Sequence, residues 1–355
     1  MQRSGPLLSR EDPPASDELP IDQWIFPLSA LRQTPSKWPL EKQMYERARG
    51  VEFLYRLGSS LQLHTPAMFT AATWFHRFYM RFPIEDFHRQ DVAAACIFLA
   101  TKTEECGRKL RDVARVCQAK IESKDINAIL EDSKEVENCQ QVILQTEEVL
   151  LEALCFEFSV DNPHSILVDA FVEFSISPDV QEVSWTLAHD SYRTPACILW
   201  PSRIIAAACL VLAECFHEGA NAPSLAERIT PENPSPSPSN TPPHTSKATI
   251  AYFHFSPEDL VNLSDCLNLI LEFYGAQDFT KQPHLASVSQ IAPPASTPPW
   301  EPLFKPWTDF EKNDGVQAPA AQPSAPPPTA TQEEQPTDQP PPPPPASFSP
   351  VSTAA

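Results

Sequence analysis

Histidine and cysteine are the side chains most often used for acid–base catalysis, nucleophilic attack and metal binding, and here they follow no catalytic pattern. Five scattered histidines lack a nucleophile or an orienting carboxylate at motif spacing; they are His76, His88, His164, His189 and His217. Cys215 and His217 are too sparse for a metal site, and the sequence has no Gly-rich phosphate loop. We therefore predict no catalytic residue, no metal and no cofactor.

The cysteines point to a reducing environment. Their number is odd, no two form a C-x-x-C pair, and several lie inside apolar helical patterns; they are Cys96, Cys106, Cys117, Cys139, Cys155, Cys197, Cys209, Cys215 and Cys266. Buried, reduced thiols of a cytosolic or nuclear protein have this distribution.

A charged cluster follows an apolar segment and is a candidate for partner binding. Lys102-Thr103-Glu104-Glu105 comes directly after Ala93–Ala100 and Thr101. Lys102 alone has two interpretations. It is either a snorkelling lysine favoured by the dipole at a helix C-terminus, or a polar contact offered to another protein.

The charge is strongly acidic and unevenly spread. The 355 residues carry a formal net charge of −20, and residues 1–134 hold 19 of the 26 Lys and Arg against 18 acids. A basic face is what nucleic-acid binding usually needs, so this balance argues against it. The sequence has no run of about 18 apolar residues, so it predicts no membrane span. Residues Met1–Leu19 do not have the pattern of a signal peptide.

Helical periodicity predicts an all-α fold. Apolar residues recur at helical spacing over 41–63, 67–80, 89–103, 110–119, 136–156, 164–174, 180–192, 202–216 and 258–274. Thr65-Pro66 supplies a start signal for one of these helices, and Asp161-Asn162-Pro163 marks a turn between two halves. No period-two strand pattern is found.

An internal repeat supports two similar halves. Ala93–Ala100 matches Ala206–Ala213 at an offset of 113 residues, with six of eight positions identical. Buried Ala-rich helices can converge on such strings, but each copy falls on the third predicted helix of its half. We therefore predict two five-helix units, each packed around a central apolar helix.

The first half resembles the cyclin box, and within the cyclins it is similar to the transcriptional group that includes cyclins K and T. The residues that carry the resemblance are Trp24, Leu31-x-x-Thr34-Pro35-Ser36, Gly58, Phe75–Met80, Ala94–Glu105, Arg108–Val113, Glu147, Leu154–Phe158 and Asp161-x-Pro163-His164. The resemblance covers about residues 21–275 and is weaker in the second half. Of these motifs, Phe-Leu-Ala-x-Lys-x-Glu-Glu followed by a distal Glu is the most specific.

The resemblance implies a regulatory subunit, not an enzyme, that binds and activates a cyclin-dependent kinase. The kinase would be of the transcriptional class, acting in the nucleus on the C-terminal domain of RNA polymerase II in elongation. Lys102 and Glu147 would form the polar centre of the kinase contact. Phe98 and Phe156 would lie at the edge of the groove that faces the kinase, and Glu105 would make a further contact.

The resemblance and the composition together set the expected domains. These are a disordered tail over 1–20, an N-terminal cyclin box over 21–160, a C-terminal box over 161–283 with a Pro/Ser-rich loop insertion at 221–250, and a disordered Pro-rich tail over 284–355. The six prolines Pro340–Pro345 could dock SH3 or WW modules, although a spacing role is equally compatible.

Two other functions stay open at this point. A general transcription factor of the transcription factor IIB type uses the same double box to hold DNA, and the acidic balance counts against it. A helical scaffold without a kinase is the other.

In place of the apolar docking patch of cell-cycle cyclins stand Glu46-Arg47-Ala48-Arg49-Gly50, which we interpret as a charged surface on the first helix.

Overall fold

The computed structural model describes residues 23–219, 223–230, 245–296 and 298–314, and within these ranges it is helical with no strand. The prediction of an all-α fold is confirmed. No helix in the described residues is long and apolar enough to cross a membrane. All nine cysteines are described, and none forms a disulfide.

Thirteen α-helices follow one another along these described ranges. They are α1 Leu40–Ser60, α2 Thr65–Arg81, α3 Arg89–Thr103, α4 Leu110–Ile121, α5 Lys134–Ala153, α6 Pro163–Glu173, α7 Pro178–Ser191, α8 Ala196–Leu199, α9 Ser202–Glu218, α10 Leu225–Ile229, α11 Thr245–Tyr252, α12 Pro257–Gly275 and α13 Thr308–Asp314. Three 3₁₀ segments accompany them, at Leu28–Gln33, Ile126–Ala128 and Pro283–Gln290.

In the first half, α3 is the central helix. Every residue from Val92 to Thr101 is buried, and α1, α2, α4 and α5 pack around it. The small side chains of Ala93, Ala94 and Ala95 let these neighbours approach closely. The central helix that the sequence predicted is therefore present.

In the second half, α9 has the same position. Its residues Ile204–Glu214 are buried, and α6, α7 and α12 pack against it. The second Ala-rich segment is thus central as well, although the four-residue α8 precedes it, so that α9 is not the third helix of its half. The two units share a design and differ in detail.

Hydrogen bonds and a ring stack join the two halves. The buried His76 of α2 donates from Nε2 to the carbonyl oxygen of Tyr192, at 2.8 Å. Tyr55 of α1 donates to the carbonyl oxygen of His189, at 3.0 Å, and the ring of Phe69 stacks on that of His164, with centroids 4.1 Å apart. Both halves belong to one compact unit.

The predicted disordered tail from residue 284 is wrong over residues 284–296 and 298–314, where the chain is ordered. We name residues 298–311 the C-terminal strap. Glu272 of α12 accepts hydrogen bonds from Trp300 Nε1 at 2.8 Å and from the backbone N–H groups of Leu303 and Phe304 at 2.7 Å. Burial raises the pKa of this Glu272 carboxyl group. Leu303, Phe304 and Trp307 are buried, so apolar burial outweighs the proline content of the segment.

The predicted loop insertion at 221–250 contains helix instead of loop over 225–229 and 245–250. A capping box starts α10, because Ser224 and Glu227 bond each other's backbone N–H groups. The serine- and proline-rich stretch from 231 to 244 lies outside the described residues, as do the tails 1–22 and 315–355 with their predicted disorder.

The charged surface predicted on α1 is wrong for two of its residues. Glu46 is 4% exposed and forms an ion pair with Arg89, and Arg47 is 0% exposed. Arg47 donates to the carbonyl oxygens of His76 and Tyr79, at 3.0 and 2.8 Å. These charges are internal because each finds partners there. Only the half-buried Arg49 remains near the surface.

Candidate functional site

The end of α3 brings three of the predicted site residues together. Lys102, in the last turn, forms an ion pair with Glu147 of α5. The ammonium group also lies 4.4 Å from the centroid of the Phe98 ring, one turn earlier on α3. Phe98 is 9% exposed, so its buried ring packs against the ion pair from the inside of the protein.

The two charges of this pair differ in exposure. The side chain of Lys102 is 47% exposed, whereas that of Glu147 is only 9% exposed. A cation at a helix C-terminus is stabilised by the macrodipole, and it shields a carboxylate that burial would otherwise penalise. The ammonium group therefore keeps donor capacity for a second acceptor on another molecule.

Backbone and side-chain contacts fix the position of Lys102. α3 is held on several sides by helices of the first half. Its last turn is closed by the Glu104 N–H, which donates to the Ala100 carbonyl oxygen at 2.9 Å. Thr70 of α2 donates to Glu104 Oε1 at 2.7 Å. Lys102 thus extends from a rigid support.

The other two predicted residues lie on the surface, apart from the pair. Glu105 is exposed in the turn after α3 with φ of 52°, and Phe156 follows α5 with φ of 58° and 65% exposure. No hydrogen bond or ion pair joins either to Lys102 or Glu147 in the described part of the chain. A left-handed backbone is costly for a bulky residue such as Phe. The fold nevertheless holds the exposed ring of Phe156 in this conformation.

An apolar residue next to the pair was missed by sequence reasoning. Leu144 of α5 is 47% exposed, and it precedes Glu147 by three residues, which places both on one face of the helix. Leu151, four residues after Glu147, is half-buried on the same face. The available signal was the spacing of Leu144, Glu147 and Leu151, which places both leucines on the same face of the helix as the glutamate. We name Phe98, Lys102, Leu144 and Glu147 the α3–α5 face.

The corresponding end of α9 in the second half has no such pair. At the repeat offset of 113 residues, Lys102 aligns with the half-buried Cys215. The neighbouring Glu214 and Glu218 instead contact Arg228 of α10, whose side chain is 0% exposed. Arg228 lies 3.8 Å from Glu214 and 2.6 Å from Glu218, so the insertion covers this helix end.

Comparisons with known proteins find similar chains. Residues 28–159 match the family model described as the cyclin N-terminal domain. Cyclin pch1 of Schizosaccharomyces pombe is 43% identical over 202 residues, which cover 55% of this chain and 58% of the relative. Cyclin-T1-4 of Arabidopsis thaliana is 32% identical over 228 residues, covering 62% and 42%, and human Cyclin-K is 28% identical over 198 residues, covering 54% and 33%.

A solved structure shows the same fold. A chain of the yeast RNA Pol II CTD kinase CTDK-1 complex superposes with a TM-score of 0.54 at 16% identity, covering 84% of this chain and 85% of that one. The chain spans about 33–58% of the three relatives named above. Residues 28–159, which match the cyclin N-terminal domain, include the whole α3–α5 face.

Proposed function

We propose that this chain binds and activates a cyclin-dependent serine/threonine kinase of the transcriptional class through the α3–α5 face. The observation that carries the proposal is the ion pair between the half-exposed Lys102 and the buried Glu147. The pair leaves the Lys102 side chain half exposed at the end of a buried helix, where its ammonium group can donate to a second acceptor. The names of the relatives support a cyclin function, and that of the kinase complex with a similar fold is compatible with it.

The chemistry of the face suits a helix and its backbone as partner. Lys102 can donate to carbonyl oxygens, while Glu147 can accept from N–H groups once the partner displaces solvent. Leu144 supplies an apolar area beside them, and Phe156 a second one after α5. A desolvated polar centre surrounded by apolar contacts is typical of the residues that dominate an interface.

Activation follows from differential affinity. A kinase is active when a Lys–Glu pair positions the ATP phosphates, and the helix that carries this Glu moves between an inward and an outward position. If the α3–α5 face binds the inward arrangement better, it shifts the population towards the active state. All phosphoryl-transfer chemistry then stays on the kinase. The substrate would be the C-terminal domain of RNA polymerase II, and the site of action the nucleus.

Charge reversal tests this interface. Lys102→Glu and Glu147→Lys should each abolish co-purification with the kinase and stimulation of its activity on a C-terminal-domain peptide, because a lost or reversed charge in such a contact costs about 2–5 kcal/mol. Lys124→Glu, which alters an exposed lysine after α4, is the matched control and should bind normally. Circular dichroism should show that all variants remain helical.

The exchanged double variant Lys102→Glu/Glu147→Lys separates a contact from a merely structural pair. It restores the attraction within the chain but presents each charge in the wrong place to the kinase. We expect no recovery of binding. Recovery by the double variant, or normal binding by both single variants, would show that the pair only stabilises the first box.

A further inference from the structure

A second surface, in the other half of the chain from the α3–α5 face, has the properties of a docking groove. It lies between α6 and α7 of the second half and has a volume of about 590 Å³. Val168, Phe171 and Val172 line it from α6, while Pro178, Gln181 and Trp185 line it from α7. We name these residues, together with Glu182, the α6–α7 groove.

The groove exposes more apolar surface than folding requires. Val172 is 78% exposed, Val168 46% and Trp185 40%. Exposed apolar side chains scattered singly need no explanation, but a contiguous group of them marks an interaction surface. The α3–α5 face cannot account for them, because they belong to the other half of the chain.

The wall of the groove is held rigidly. The ring of Trp185 meets that of His164 edge-on at 4.5 Å, and His164 in turn stacks on Phe69 of the first half. A tryptophan supported in this way loses little side-chain freedom when a ligand binds, which favours affinity. The groove is therefore formed before its occupant arrives.

Carboxylates without basic neighbours in sequence lie on the two helices that form the groove, and one of them, Glu182, lines it. Asp169 and Glu173 on α6 and Asp179 and Glu182 on α7 are all exposed, and no ion pair of theirs occurs among the residues that the structure describes. The sequence contains no Lys or Arg between residues 135 and 192. The apolar groove thus lies on two helices whose exposed charges are all negative, which favours a cationic partner.

The spacing of the lining residues selects a helix. Positions 168, 171 and 172 on α6 and 178, 181 and 185 on α7 follow helical register, and the lining of α7 extends over about 10 Å, or roughly two turns. Two packed helices form a groove into which the ridge of a third can insert. No sheet edge is available here to pair with an extended peptide in the described ranges.

We propose that the α6–α7 groove binds a basic amphipathic helix of a partner protein, with apolar anchors at i, i+3 or i+4 and i+7 and Lys or Arg on both flanks. The chain's own residues 315–355 do not fit, because they contain no Lys or Arg and include Glu333, Glu334 and Asp338. A second copy does not fit either, since a two-fold contact would place the same carboxylates against each other.

The probe for the test is a fluorescent amphipathic peptide of about 18 residues, with Leu on one face and Lys on its flanks. Fluorescence anisotropy with the full chain should show saturable binding that weakens with added salt. A peptide of the same composition but scrambled order, and one with Glu in place of Lys, should bind at least about tenfold more weakly.

Variants locate the peptide. Val172→Asp and Glu182→Lys change exposed side chains, so the fold should persist, and each should weaken binding about tenfold or more. Val261→Asp alters another exposed valine, on α12 and 43% exposed, and is the control, expected to bind like the unchanged chain.

Three results would overturn the proposal. Equal binding of the scrambled peptide would indicate attraction to the acidic chain in general. Equal losses in Val172→Asp and Val261→Asp would place the peptide elsewhere. Binding that emerges only after removal of residues 315–355 would identify the chain's own tail as the occupant. Kinase stimulation should be unaffected by Val172→Asp, so this test is independent of the proposed kinase function.

Discussion

The two central helices of this molecule end differently. At the end of α3, Lys102 is half exposed and its partner Glu147 comes from the neighbouring α5. At the end of α9, Glu214 and Glu218 meet the fully buried Arg228 from α10. The first end is available to another molecule, whereas the second is closed by the chain itself.

The difference shows that a duplicated scaffold does not imply a duplicated site. Both Ala-rich segments are buried and central, so they specify packing and not binding. What distinguishes the halves is the second residue after the repeat, lysine at 102 and cysteine at 215, and the insertion that covers the second helix end. We therefore expect the proposed kinase contact only where the polar end of the central helix is left uncovered.

The largest effect that tests this comparison is on stability. Arg228→Met should lower the free energy of unfolding by about 3–5 kcal/mol, because it leaves Glu214 buried without its cation. The value should fall at the lower end of that range, since the Glu218 side chain is 35% exposed and can turn to solvent. Urea denaturation followed by circular dichroism measures the change.

Arg203→Met provides the matched control for Arg228→Met. Arg203 pairs with Asp259 at 2.7 Å but is 44% exposed, and exposed pairs contribute at most about 1 kcal/mol. Equal losses of stability in the two variants would mean that the closed end of α9 is no more than a surface contact.

A smaller effect on stability comes from His76, which contacts Tyr192 of the other half. Burial lowers the pKa of His76 from its ordinary 6.5 to about 3, helped by the nearby Arg47 cation. Between these two values the unfolded chain binds a proton at this position that the folded chain does not. Stability therefore falls as the pH drops below 6.5, by roughly 2 kcal/mol at pH 5 from this group alone.

His76→Gln tests that pH dependence. The amide can still donate to the Tyr192 carbonyl oxygen but has no proton to gain, so stability should decline less steeply between pH 7 and pH 5 than in the unchanged chain. The control is His217→Gln, which alters an exposed histidine side chain on α9. If the free energy of unfolding of His76→Gln depended on pH as steeply as that of the unchanged chain, protonation of His76 would not be the cause of the lost stability.

The fold was largely predictable because helical periodicity is a local signal. The main helices of both halves lie within a few residues of the predicted ranges, since each buries an apolar stripe or a whole surface. The C-terminal strap was missed because its prolines suggested disorder. Trp300, Leu303, Phe304 and Trp307 nevertheless recur at intervals of three or four residues, and that pattern was the available signal of burial.

The site was predictable only in part. Lys102 and Glu147 are 45 positions apart in sequence, and no local pattern joins them; the family motif did. Leu144 was missed because an apolar residue on a helix is first assigned to the core, and its exposure depends on how α5 packs. The burial of Glu46 and Arg47 depends on α2 and α3, which likewise no local pattern reveals.

The smallest expected effect is the sharpest test of the comparison. Adding Cys215→Lys to the Lys102→Glu variant places a lysine at the aligned position of the second half. We expect kinase affinity to stay within about twofold of that of Lys102→Glu alone. Cys215 is half-buried beside Arg228, so the new ammonium group would face another cation under the cover of α10 and would lack the buried carboxylate partner that Lys102 has. Cys215→Lys in the otherwise unchanged chain should bind the kinase normally, which controls for folding. If the double variant instead recovered binding about tenfold, the identity of one residue, and not the covering of the helix end, would be what separates the two boxes.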